Sequence, residues 1–241
     1  MILELAPLPD SIRGPADPDY KGRVPTRARF LHPSAAESFV ALEAASGGLI
    51  YTDIFRSADA SLAACKSKRG CQRPAYSAHN FGLAFDLDLD ATEKSLKASY
   101  KELTDLLKRY GWFCHRRDGA ATGMESWHFN FLGETAGDYL IEATAEHSTW
   151  SIPVEKRIAE LYGDSFHLAN ADMQLALTKL KMYSGELDAK IGPLTIAALR
   201  AFQRAWGITE DRIEVGGVTQ RTLAYCAATV EVVNMPLAPD A

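Results

Sequence analysis

The chain has 241 residues, 47% of them hydrophobic and 24% charged, with a formal charge of −5. That length holds one large domain or two modest ones, each with its own core. The acidic balance, with no stripe of Lys and Arg, argues against nucleic acid as the main partner. No window reaches the roughly 18 apolar residues that a membrane span needs. Met1 to Pro7 carries neither a basic segment nor a long apolar run, so it does not read as a secretory signal.

The first 30 or so residues, rich in Pro, Gly and charge, read as an extended arm lying on the domain. Ser34-Ala35-Ala36-Glu37 reads as a capping box opening a helix. Phe39, Val40, Leu42 and Ala45 give that helix its apolar stripe, and Gly47-Gly48 stops it. Leu49 to Phe55 is a predicted strand that delivers Arg56 and Ser57 at its end. A short helix follows over Ala58 to Lys66. Cys65 and Cys71 bracket a short basic loop, and they either close a small disulfide in an oxidising compartment or stay reduced. None of Cys65, Cys71, Cys114 and Cys226 forms a C-x-x-C pair, which argues against a structural cysteine–zinc site.

From Gly82 to Asp88 the residues alternate: Leu83, Phe85 and Leu87 face one way, Ala84, Asp86 and Asp88 the other. Thr92 is read as the cap of a helix whose buried side is Leu96, Tyr100, Leu103, Leu106, Leu107 and Tyr110, ended by Gly111. Trp127 to Leu132 reads as a strand with Trp127, Phe129 and Phe131 on the core face and His128 opposite. Strict alternation turns Glu125 away from His128, so Glu125 is expected in the loop before the strand.

From about residue 150 the texture changes to short helices, starting with Pro153 in the first turn of one that ends at Tyr162. Met173, Leu175, Leu177 and Leu180 mark a second helix, and Thr195 to Trp206 a third. Asp188 to Leu199 and Asp211 to Leu223 form a small repeat in which Gly, Thr and Leu keep their spacing, a turn feeding a helix capped by Thr. The expected boundary lies between about 145 and 165, giving one domain over 1–150 and a helical one over 151–241.

Two histidines carry the chemistry. His79 stands seven residues before Asp86 with Gly82 between them, and Glu125-Ser126-Trp127-His128 supplies a second imidazole and a further carboxylate. Two imidazoles and a carboxylate are good zinc ligands, and three protein ligands leave a fourth position for water. A carboxylate near the metal but not bound to it can take the water's proton and return it to a leaving amine, and Glu125 is that candidate. Arg56 is the best-placed cation for a developing oxyanion, or for a substrate carboxylate. His32, His115, His147 and His167 read as surface or structural residues; Asp88 and Asp90 offer further carboxylates to a metal, but a solvated strand end, or partners orienting a histidine, is the favoured reading.

Ser77-Ala78-His79-Asn80-Phe81-Gly82-Leu83-Ala84-Phe85-Asp86 and Glu125-Ser126-Trp127-His128-Phe129-Asn130-Phe131-Leu132-Gly133 together resemble the two zinc motifs of the LAS metallopeptidases. That group includes D-alanyl-D-alanine carboxypeptidases and dipeptidases, phage L-alanyl-D-glutamate endolysins and the hedgehog signalling domain. The resemblance covers roughly residues 30 to 135. It implies one zinc ion held by His79, Asp86 and His128, Glu125 as catalytic base, Arg56 at the substrate carbonyl within Phe55-Arg56-Ser57, and Ser77 lining the substrate pocket. Glu125 and Trp127 lean toward the Glu-Pro-Trp-His-Phe-Arg-Tyr motif of vancomycin-resistance D,D-carboxypeptidases, whereas many endolysins of the group carry Asp for that Glu. Ser126 in place of Pro and Asn130 in place of Arg depart from the carboxypeptidase motif.

Residues 170 to 226 resemble a peptidoglycan-binding module of three short helices, carried by Asp188 to Leu199 and Ala201 to Ile208. The implied binding loops are Ile191-Gly192-Pro193 and Val215-Gly216-Gly217, with Phe202 and Trp206 as core. The whole is expected to be α+β: a small antiparallel sheet with flanking helices carrying a zinc cleft, plus the C-terminal helical module. It reads as a monomeric zinc peptidase of peptidoglycan stems, with D,D-carboxypeptidase activity favoured over endopeptidase activity and a non-catalytic zinc-containing wall-binding protein as the alternative of another class. A cell-wall substrate without a secretory signal implies another route to the periplasm or wall. One is phage lysis through a holin; the other is delivery by a secretion system, with an immunity protein as partner.

Overall fold

The computed structural model describes residues 1–67, 72–114, 125–133 and 151–233. They divide into two compact units. One comprises residues 4–56, 78–114, 125–133 and 151–158, the other residues 1–3, 57–67, 72–77 and 159–233.

The first unit is built on an antiparallel sheet of β3 (Tyr51–Asp53), β4 (Ala84–Leu87), β5 (Trp112–Cys114) and β6 (His128–Phe131), in the order β3-β4-β6-β5. Alternation in β4 and β6 puts Phe85 and Phe129, paired across the strands, on one face. There they join Phe39, Tyr51 and Trp112 in a fully buried aromatic core. Phe85 lies 4.3 Å from Trp112 and 5.2 Å from Tyr51, the latter ring edge-on. The opposite face of the same strands carries Asp86 and His128, again directly paired.

The N-terminal arm is part of this core. Its β1 (Ala6–Pro7) pairs with β2 (Phe30–Leu31), and Leu8, Ile12 and Val24 are buried with the aromatic cluster. Helix α1 (Pro33–Ser46) starts one residue before the expected capping box: Pro33 opens it and no side chain caps it. Ser34 instead bonds the His32 ring at 2.9 Å. The buried face of α1 is Ala35, Ala36, Phe39 and Leu42, so Val40 and Ala45, both exposed, leave the expected stripe. Gly47 ends the helix in the left-handed conformation, as expected.

The single helix expected from Thr92 to Gly111 is two: α3 (Leu89–Leu96) and α4 (Tyr100–Arg109). Lys97 turns left-handed and breaks the run, and Ser99 with Glu102 forms a capping box that starts the second helix. Asp88, not Thr92, caps α3, accepting the Ala91 N–H at 3.0 Å, while Thr92 is buried inside the helix. Trp127 is also corrected: it sits in the turn before β6, 44% exposed, and not on the core face.

The second unit holds α2 (Ala58–Ser67), α6 (Asn170–Lys179), α7 (Pro193–Ala205) and α8 (Val218–Val233), and α5 (Ser151–Tyr162) crosses the division between Ile158 and Ala159. The repeat has a physical basis. Gln174 donates to Thr195 at 3.2 Å and to the Lys190 carbonyl at 3.0 Å, and Gln203 donates to Thr219 at 2.9 Å and to the Glu210 carbonyl at 2.9 Å. A buried Gln on one helix thus ties the next loop to the Thr that follows it. Thr195 is the third residue of α7, not its cap; Gly192 takes that place. Leu175, one of the residues that mark α6 in the sequence, is exposed; Phe202 is buried as expected, and Trp206 only partly so. The choice between a Cys65–Cys71 disulfide and reduced thiols involves Cys71, which lies outside the described residues, as do His115 and His147; Cys114 and Cys226 are buried free thiols.

Candidate metal centre

Three elements converge on one point. A buried 3-10 turn, Ala78–Phe81, carries His79; β4 carries Asp86; β6 carries His128. Gly82 links the first two with φ +63°, and a Cβ there would meet the backbone nitrogen of His32 at 2.5 Å. Only glycine fits that turn. Since Asp86 and His128 are cross-strand partners on one face, the pleat itself brings them together.

The donor atoms sit close. His128 Nδ1 is 2.8 Å from Asp86 Oδ1, His79 Nε2 is 3.2 Å from the same oxygen, and the two nitrogens are 3.1 Å apart. Zinc bonds of about 2.0–2.1 Å in a tetrahedron separate neighbouring donors by about 3.3 Å, so the spacing fits such an ion with slight expansion.

The far side of each imidazole is committed. His79 Nδ1 donates to the Ile54 carbonyl at 2.8 Å, and His128 Nε2 donates to Asn130 Oδ1 at 2.9 Å. In the neutral rings those bonds leave a lone pair on His79 Nε2 and another on His128 Nδ1, both turned toward the Asp86 carboxylate. Two lone pairs and an anion in mutual contact require positive charge between them. A proton or a divalent cation supplies it, and the donor set is one that zinc accepts.

The electrostatics say the same. Burial alone would lower the His79 pKa, but the Asp86 carboxylate, aided by Asp53, outweighs it and raises the value. Burial alone would raise Asp86, yet the two imidazoles hold it well below the usual carboxylate range. The pocket is built to keep a carboxylate ionised beside cationic charge.

Glu125 lies in the turn Glu125-Ser126-Trp127 ahead of β6, as alternation required, with φ +60°. Its carbonyl accepts the His128 N–H at 3.0 Å, so the left-handed turn is anchored to the histidine strand. Its side chain is exposed. Arg56 follows β3; its backbone N–H donates to the His79 carbonyl at 3.1 Å. Its guanidinium bonds Asp53, with Nε 2.9 Å from Oδ2. Burial would lower the Arg56 pKa, but Asp53 foremost, then Asp86 and Glu125, raise it. Ser77 is buried just before the His79 turn and groups with the helical unit. Asp88 and Asp90 belong to the start of α3 and Asp88 caps it.

No family model matches the chain, and no curated protein matches its sequence. Its structure is similar to that of the LdcB LD-carboxypeptidase, a solved structure described as revealing the molecular basis of peptidoglycan recognition. The TM-score is 0.45 with 19% identity, over 64% of this chain and 78% of that one.

Two residues of the site escape a reading by motif. Asn130 looks only like a departure from a family pattern, yet as the i+2 neighbour of His128 on the same pleat face it orients that ring. Asp53 holds Arg56 from three residues upstream. Alternation along β6 could have found the first; the second needed the turn after β3.

Proposed function

We propose that the protein is a zinc-dependent peptidase that hydrolyses the peptide stems of bacterial peptidoglycan, of the D,D-carboxypeptidase type. The observation that carries the reading is the pair of imidazole lone pairs, each fixed by a hydrogen bond on its far nitrogen, meeting Asp86 beside the turn that holds Glu125. His79, Asp86 and His128 would hold the ion. When bound, zinc lowers the pKa of its water to about 7 and so supplies a nucleophile at neutral pH.

This chain's residues do the rest. Glu125 takes the proton of the attacking water and hands it to the departing amine nitrogen. Arg56, held by Asp53, turns its guanidinium charge to the scissile carbonyl oxygen as charge builds there, or to the terminal carboxylate of the substrate. Ser77 lines the substrate pocket. The Ile54 carbonyl and Asn130 keep both imidazoles in the metal-binding tautomer. Residues 170 to 226 serve as the wall-binding module, raising the local concentration of scissile bonds by tethering. The site of action is the periplasm or cell wall.

Purified muropeptides incubated with the zinc-loaded protein and read by mass spectrometry test this. Loss of a terminal D-Ala with cross-links intact identifies a carboxypeptidase. Cleavage of the cross-link or within the stem identifies an endopeptidase instead. Intact peptides in the presence of bound zinc refute the enzyme reading.

A further inference from the structure

The helical unit contains a segment, Ser57–Ser77, that lies in the chain between Arg56 and His79. Its last residues are held in an unusual way. Ala75 is fully buried with φ +72°, a left-handed conformation that a residue with a Cβ adopts rarely. Arg221, in the first turns of α8 and 146 positions away, donates its Nε–H to the Ala75 carbonyl at 2.7 Å. Its guanidinium also covers the Tyr76 ring at 4.3 Å and the Phe166 ring at 4.9 Å. One side chain therefore fixes both the carbonyl of the strained residue and the ring that follows it. Tyr76 leads through Ser77 and Ala78 directly into His79.

We propose that Arg221 is a positioning residue: it holds Ala75 and Tyr76 in the conformation from which the chain runs through Ser77 and Ala78 into His79. An aliphatic cation lacks both the planar fork and the stacking surface, so lysine is a poor substitute here. Partners that orient a metal-binding histidine typically affect affinity or activity 10- to 100-fold. The proposal rests on the peptidase reading for its activity readout but not for its metal readout.

The test uses the full chain with Arg221→Ala, Arg221→Lys, Ala75→Gly and the double variant Arg221→Ala/Ala75→Gly. Zinc affinity is measured by competition with a chromophoric chelator, kcat and KM on muropeptides, and folding by circular dichroism. Arg221→Ala should weaken zinc binding by about tenfold and lower kcat/KM by 10- to 100-fold at unchanged helical content, with Arg221→Lys recovering little. Glycine removes the penalty of the left-handed backbone, so adding Ala75→Gly should restore part of both losses. A role confined to packing α8 predicts no such rescue. The proposal is overturned if Arg221→Ala keeps zinc affinity and kcat/KM within twofold of the parent, or if the double variant recovers nothing. A parent protein that binds zinc but cuts no muropeptide would instead defeat the peptidase reading, with the zinc comparison still deciding the role of Arg221.

Discussion

Glu125 and Asn130 sit five residues apart and have opposite duties. Glu125 is exposed in a left-handed turn, outside the group of His79, Asp86 and His128, and the proposed mechanism gives its carboxylate the proton transfer. Glu125→Gln should keep zinc affinity within a fewfold of the parent while muropeptide hydrolysis falls by about 10²–10⁴-fold. Equal activity in the variant would remove Glu125 from the mechanism. Asn130→Ala removes the acceptor of the His128 Nε2–H. A ring freed to change tautomer should bind zinc 10- to 100-fold less tightly, measured by chelator competition. Both residues were visible in the second motif; alternation along β6 turns Asn130 to the ring, and the left-handed turn takes Glu125 out of the pleat.

At the scale of elements, the β4–β6 pair does two jobs with its two faces. Phe85 and Phe129 anchor the aromatic core while Asp86 and His128 meet on the other side. Phe129→Ala should cost about 3–5 kcal/mol in denaturant unfolding, a cavity effect at a fully buried ring. The alternation in Gly82 to Asp88 made this face assignment readable in advance, and the core face of β4 is as expected. The helix after it was misread, because an apolar stripe runs through both α3 and α4 while the break rests on Lys97 at φ 53° and on the Ser99 cap. Periodicity reports which face is buried; it does not report where a backbone reverses. Gly82→Ala, placing a Cβ against the His32 backbone at a φ of +63°, should destabilise the unit and weaken zinc binding together.

For the whole molecule the charge balance at the triad sets the pH behaviour of the metal-free chain. His79, raised above its ordinary 6.5 by Asp86 against the pull of burial, contributes stability that is full below about 6.5 and fades as pH rises through its folded value. Asp86, lowered from its ordinary 3.8 by the imidazoles despite burial, contributes stability above that value that is lost on acidification. The chelated protein should therefore have its highest melting temperature in mildly acidic buffer, between those limits, and zinc should bind more tightly as pH rises and the imidazoles lose their protons. A melting temperature of the chelated protein that climbs steadily from pH 5 to pH 9 would contradict this. Chelation should also abolish hydrolysis and lower the melting transition of the unit carrying the triad. Among the described residues the His79, Asp86 and His128 group is the site where three potential ligand atoms meet, and no helix is long and apolar enough to cross a membrane.

By itself the sequence determined the chemistry available: residue types with zinc-ligand character, a glycine where the chain must turn sharply, and an alternation that separates a carboxylate face from an aromatic one. Local pattern suffices there because side-chain direction follows from backbone period. Only the tertiary structure decided which nitrogen of each imidazole is left for a metal, that Asp53 holds Arg56, and that Arg221 reaches Ala75. The His79 and Arg221 bonds end on backbone carbonyls, which leave no trace in composition or periodicity, whereas the His128 bond to Asn130 follows the alternation of β6 once that strand is placed. The Asp53 bond waits on the shape of the turn after β3.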